Sequence, residues 1–136
     1  MPLANVTWLG QTLGRANLVE RRRLQLASAR PVLRLMRLRH RDNRRLSYEI
    51  ASLALDRLPG LDPDEPVTAD IAELAPRHGV RLGKAEETIA VVSASATVAR
   101  HLRVPRYTRI LRLDRVCETA RGLPVEWRLA FIPRQP

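Results

Sequence analysis

Val32-Leu33-Arg34-Leu35-Met36-Arg37-Leu38-Arg39-His40, followed by the polar run Arg41-Asp42-Asn43-Arg44, is the stretch from which the fold is read. Pro31 opens it, and its leucines and arginines interleave as in a strand with one face buried. Successive strand residues point to opposite faces, so Leu33, Leu35, Arg37 and Arg39 share one face, apolar at its start and ending in two guanidiniums. Asp42 and Asn43 suit a tight turn. A further strand from Leu46 to about Leu55 then closes an antiparallel hairpin. The stretch also has a second copy. Leu33-Arg34-Leu35-x-Arg37-Leu38 returns as Leu111-Arg112-Leu113-x-Arg115-Val116, displaced by 78 positions. Its own partner follows, with Ala120-Arg121-Gly122 as the turn and Pro124 to Ile132 as the strand. Tyr48-Glu49 of the first hairpin then matches Glu126-Trp127 of the second.

Working outward, Asn17 to Ser28 reads as a strand, with Leu18, Leu24 and Leu26 set among charges, while Val6 to Gly14 is open between a short helix and a loop. Beyond the first hairpin, Leu58 to Pro66 carries three prolines and one glycine and is a loop. Thr68 has the chemistry of an N-cap before a helix with Asp70 and Glu73 in its first turn and Gly79 at its end. Pro76 should shorten that helix. Leu82 to Val92 favours extended backbone. Ser95 can cap a helix from Ala96 to Leu102, which Pro105 ends, and Tyr107 to Cys117 is the next strand. Six strands and two or three short helices make an α+β domain with a central antiparallel sheet. On this reading each half runs strand, strand, turn, strand. Only the second has a helix between its first two strands, and the first crosses by the shortcut Ala27-Ser28-Ala29-Arg30.

With 136 residues the chain is one domain. Aromatic residues make up 4%, so the core must come from Leu, Val, Ile and Ala. The net charge is +10, from 24 Lys and Arg against 14 Asp and Glu. All those cations except Lys84 are arginines, and they are spread along the chain. Such a balance raises a nucleic-acid partner, but the even spread argues against a dedicated binding segment. No apolar run approaches the roughly 20 residues that cross a bilayer. Met1 to Asn5 lacks the start of a signal peptide. A cytoplasmic protein without a membrane partner is expected. Cys117 alone forms neither an internal disulfide nor a multi-cysteine metal site. His40, His78 and His101 have no ligand spacing, and Ser93 and Ser95 lie in no nucleophile motif. Neither a metal, nor another cofactor, nor hydrolase chemistry is expected.

Arg37-Leu38-Arg39-His40-Arg41-Asp42, Leu46-Ser47-Tyr48-Glu49 and Leu58-Pro59-Gly60-Leu61 together resemble the signature of UTRA domains. The second half agrees at Ala85-Glu86-Glu87-Thr88-Ile89 and at Arg115-Val116 before Gly122-Leu123-Pro124-Val125-Glu126, the most specific segment. The resemblance spans about residues 17–132. It implies a chorismate-lyase-like fold and the effector-binding half of a HutC-branch GntR-type transcription regulator. It also implies a homodimer whose DNA affinity changes when a metabolite binds. In such regulators a winged helix-turn-helix precedes the domain, and no such pattern is expected in residues 1–136, whether as a truncated chain or a stand-alone sensor. Two features depart from the family. One is the shortcut at Ala27 to Arg30. The other is the ending Pro133-Arg134-Gln135-Pro136, where relatives continue with an aromatic and arginine-containing strand end.

Arg pairs well with carboxylate or phosphate through two parallel bonds. Arg37 and Arg39 are therefore candidates to bind an anionic effector, and the resemblance implies the same of the R-x-R positions in phosphosugar-binding members. The alternative is salt bridging to Glu49, Glu86 or Glu87, or plain solvent exposure. Glu49 matches the family's acidic position and can accept from a ligand hydroxyl or amine, or simply pair with Arg37. Thr68 sits at a helix start, where free N–H groups attract anions, although Asp70 beside it would repel a phosphate. Thr7 lies near the family's N-terminal hydroxyl position. Trp127 and Phe131 are candidates for the pocket wall, or for core. The expected function is effector sensing without catalysis. A chorismate-lyase-like enzyme and a basic nucleic-acid-binding module are the alternatives.

Overall fold

The computed structural model describes residues 5–134, so Gln135 and Pro136 of the divergent ending lie outside the described residues. The elements in chain order are β1 (Asn5–Arg15), α1 (Leu18–Arg23), β2 (Pro31–Arg41), β3 (Arg44–Ala54), α2 (Ile71–Arg77), β4 (Leu82–Ser93), α3 (Ala96–Leu102), β5 (Arg109–Thr119) and β6 (Pro124–Ile132), with one 3-10 turn at Leu55–Arg57. They form one six-stranded sheet in the order β1-β2-β3-β6-β5-β4. Every neighbouring pair is antiparallel. This is the chorismate-lyase-like α+β fold expected.

Two local readings need correction, and both complete the internal repeat. Asn17 to Ser28 is not a strand. Leu18–Arg23 is a helix opened by a capping box, in which the Asn17 side chain accepts from Glu20 N and the Glu20 carboxylate accepts from Asn17 N. Two satisfied helix-end donors outweigh the strand-like scatter of Leu18, Leu24 and Leu26. The first strand is instead Asn5–Arg15. Gly14 suits that strand because the Arg34 guanidinium occupies the space a Cβ would need. The first half therefore does have a helix between its first two strands, and Ala27 to Arg30 is only its exit.

Each half is then strand, helix, strand, strand, and the displacement of 78 runs through most of it. Pro31–Arg41 maps onto Arg109–Thr119, and the N-cap Asn17 maps onto the N-cap Ser95. Gln25 and Arg103, just past the two helices, both have positive φ (50° and 57°). The ladder irregularities also correspond, at Arg39/His40 and at Cys117/Glu118. The last strand is out of step by one residue. Arg37 stands opposite Glu49, whereas Arg115 stands opposite Arg128, so the ladder counterpart of Glu49 is Arg128 and not Glu126 or Trp127.

One sheet face of the first half buries Leu33, Leu35, Ala51 and Leu53 beneath the segment 58–75, including Leu58, Ile71 and Leu74. On the other face, α3 packs Val98, Ala99 and Leu102 on Leu38 and Tyr48, while Leu24 and Leu26 after α1 cover Val32 and Ala54. α2 begins at Ile71, with Asp70 rather than Thr68 as its N-cap residue, and Asp70 makes no side-chain cap bond. Its carboxylate is drawn to arginine instead, as shown below.

Candidate functional site

The two arginines of β2 and the glutamate of β3 meet on the covered face because strand periodicity puts Arg37 and Arg39 on one side and the hairpin register puts Glu49 opposite Arg37. Arg37, 1% exposed, donates from Nε to Glu49 Oε1 at 2.7 Å. Arg39 donates from Nε to Glu49 Oε2 at 2.8 Å, and Ser47 Oγ donates to the same oxygen at 3.2 Å. Arg39 Nη2 also donates to Asp70 Oδ1 at 3.0 Å, and Arg37 Nη1 lies 3.6 Å from that oxygen. Burial alone would raise the Glu49 carboxyl, but hydrogen bonds from Arg39 and Arg37 hold it below its ordinary value.

Glu126 enters the cluster from β6. Its carboxylate is 1% exposed and lies 3.9 Å from Arg37 Nη2, beyond hydrogen-bond length. Neither Arg37 Nη2 nor Glu126 Oε1 has a hydrogen-bond partner within the protein. Buried polar atoms are seldom left so, because an unmade bond costs about 1–3 kcal/mol. Burial pushes the Glu126 carboxyl up, against the charges of Arg128, Arg37 and Arg115.

An open cleft of about 530 Å³ adjoins the cluster, lined by Trp8, Leu9, Gln11, Pro63, Pro66 and Thr68 among others. Gln11 fastens its far wall, donating to the Pro63 and Glu65 carbonyls at 3.0 and 2.8 Å and accepting from Val67 N at 2.8 Å. Trp8 links cleft and cluster: it lines the cleft, and the Arg37 guanidinium lies over its ring at 5.5 Å.

The candidate residues therefore divide. Arg37, Arg39 and Glu49 come together, and Thr68 lines the adjoining cleft. Thr7 is exposed, pairs with Leu38 in the ladder and has its hydroxyl 2.9 Å from His40 Nε2. Trp127 and Phe131 face the opposite side of the sheet. Trp127 donates to Asp114 and packs against the Leu24 cluster, and Phe131 lies against Tyr48. The sequence reading passed over Trp8 because its segment was not read as a strand. It gave Asp70 the part of a repelling charge, whereas Arg39 holds it. It matched Glu126 to the wrong partner.

Together, the two-fold repeated sheet and the buried charge cluster beside a cleft define an α+β domain with a candidate binding site on one face of its sheet. A family model, "UTRA domain", matches residues 4–135, and the chain belongs to that family. A GntR-family transcriptional regulator from Enterococcus faecalis V583 superposes with a TM-score of 0.83 at 25% identity, over 94% of this chain and 92% of that one. The ligand-binding domain of a GntR-family regulator from Bordetella bronchiseptica gives 0.84 at 22%, over 98% and 90%. The effector domain of PhnF from Mycobacterium smegmatis gives 0.85 at 23%, over 96% and 81%. In a longer PhnF structure the chain covers 58% of its relative. No protein of curated function matches.

Proposed function

We propose that the chain is the effector-sensing and dimerising part of a HutC-branch bacterial transcription regulator. It binds a small anionic metabolite and so modulates DNA binding by a winged helix-turn-helix outside residues 1–136. The observation that carries this reading is that two atoms of the charge cluster, Arg37 Nη2 and Glu126 Oε1, are buried without partners. One offers a donor to an anionic group and the other an acceptor to a hydroxyl or amine, so a ligand carrying both completes the cluster. The carboxylates of Glu49 and Asp70 are held by guanidiniums, which suits binding rather than proton transfer, and the reading is of a non-catalytic domain. It works in the cytoplasm. No helix among the described residues is long and apolar enough to cross a membrane.

Thermal unfolding with a panel of phosphosugars, organic acids and their neutral counterparts tests the reading. A ligand at about 100 times its Kd adds about 2.7 kcal/mol, or roughly 10 °C for a domain of this size. An anionic hit is expected, with its shift reduced in Glu126→Gln and in Arg39→Ala. A panel without a hit, or a hit indifferent to both substitutions, would sink the effector assignment. Arg37→Ala is a poor probe, because stripping a buried partner from Glu49 costs several kcal/mol by itself.

A further inference from the structure

The arginines are evenly spread in sequence but not in space. The pairing of Asn5 with His40 sets the start of β1 at the same end of the sheet as the β2–β3 turn. The pairings of Tyr48 with Phe131 and of Leu111 with Ile132 bring the end of β6 and the start of β5 to that end as well. The segments gathered there, residues 40–45, 100–109 and 132–134, contain Arg41, Arg44, Arg45, Arg100, Arg103, Arg106, Arg109 and Arg134, against Asp42 as their sole acid. An open groove of about 490 Å³ runs among Asn43, Arg44, Arg45, Arg103 and Arg134.

Several arginines elsewhere are engaged. Arg30 pairs with Asp56, Arg34 with Glu20, and Arg57 donates to the carbonyls of Leu24, Gln25 and Pro124. Among the described residues no ion pair engages Arg45, Arg103, Arg109 or Arg134. The local field is felt by His101, whose imidazole is held below its ordinary value by burial and then by the charges of Arg100 and Arg45. Like charges left together without carboxylates destabilise a fold unless an anion joins them.

We propose that this arginine-rich end of the sheet is a second binding surface, separate from the effector cluster, and that it grips the phosphate backbone of duplex DNA. Guanidiniums are weakly hydrated and fork-shaped, which suits phosphate oxygens, and the groove is open, as a surface laid along a backbone must be. The choice of DNA over other polyanions rests on the proposed function, in which a winged helix-turn-helix outside residues 1–136 holds a duplex. The contact adds affinity without sequence preference, since phosphate contacts position a protein but do not read bases.

The test is fluorescence anisotropy of the 136-residue chain with a short labelled duplex of arbitrary sequence. Binding is expected at about 50 mM salt, and about four phosphate contacts make it fall roughly 100-fold by 200 mM. Reversing Arg45, Arg103 and Arg134 to Glu should weaken it by at least about tenfold. The same reversal of Arg15, Arg81 and Arg121, which are exposed and sit at the opposite end of the sheet, changes the net charge equally and should leave most of the binding. If the first triple variant fails to fold, Arg45→Gln with Arg134→Gln should still give a clear loss. No binding at low salt, equal losses from the two triples, or polyglutamate binding as tightly as DNA would each overturn the proposal. The anisotropy test uses the unaltered chain without effector and the thermal panel uses it without DNA, so a failure here is distinct from a failure of the effector reading.

Discussion

Glu126 is a carboxylate the fold buries without completing its bonds. Its folded-state pKa is raised by burial, so its contribution to stability is present at low pH and is lost as pH rises through the folded value. Glu49 behaves oppositely. Its pKa is depressed by Arg39 and Arg37 against burial, so its contribution is present at neutral pH and is lost as pH falls through the folded value. Glu126→Gln should therefore stabilise the ligand-free domain by about 1–2 kcal/mol at neutral or higher pH, with the gain shrinking on acidification. Urea denaturation at several pH values reads this. A glutamine variant less stable at every pH would mean that the 3.9 Å approach of Arg37 already satisfies the charge. At this scale the sequence was informative wherever periodicity or a hairpin suffices. Arg37, Arg39 and Glu49 follow from strand alternation and one short turn. Glu126 meets Arg37 across the central β3–β6 pairing, far from any local pattern, and the one-residue slip of the second hairpin conceals its place.

The helices show what a short element can and cannot declare. α1 has six residues, too few for a helical period to show against Leu18, Leu24 and Leu26. Its signature was Asn17-x-x-Glu20, a capping box visible in the sequence that the strand reading overrode. α3 was readable because Ser95 precedes Val98, Ala99 and Leu102 at helical spacing, and it caps by accepting from Val98 N. The two caps hold repeat-equivalent helices but are not equally loaded. Asn17 shares a reciprocal cap with Glu20, whose carboxylate also accepts from Arg34 and Ser52. Ser95→Ala should cost about 1 kcal/mol, the usual worth of an N-cap, and Asn17→Ala rather more, up to about 2 kcal/mol. Chemical denaturation of the two variants compares them. A larger loss at Ser95 would show that the capping box adds nothing to α1.

At the scale of the molecule, the two halves are alike in their strands and unlike in what covers them. The segment 58–75 roofs the sheet of the first half, whereas no helix or loop among the described residues packs over Ile89 and Val91 on the same face of the second half, where they are 67% and 45% exposed. Ile89 and Val91 pair with Leu113 and Leu111, and Leu111 with Ile132, so the exposed patch is a continuous apolar strip across β4, β5 and β6. Beside it Arg115 and Arg128 stand opposite each other, with Glu87 paired to Arg115 at 3.2 Å. Like charges facing across a ladder are unfavourable, and a partner's carboxylates would relieve them. An apolar strip rimmed by both signs of charge is what a self-complementary two-fold contact needs, which supports the dimer of the proposed function and makes this face its proposed interface. The sequence could suggest duplication but not this asymmetry, because the roof is a loop and a short helix inserted between the repeats. Ile89→Glu with Val91→Glu should turn a dimer into a monomer in sedimentation equilibrium while leaving thermal unfolding of the monomer nearly unchanged, since both side chains are already in water in the isolated chain. A variant that stays dimeric would move the interface elsewhere, and a monomeric parent chain at the same concentration would remove the dimer from the reading altogether.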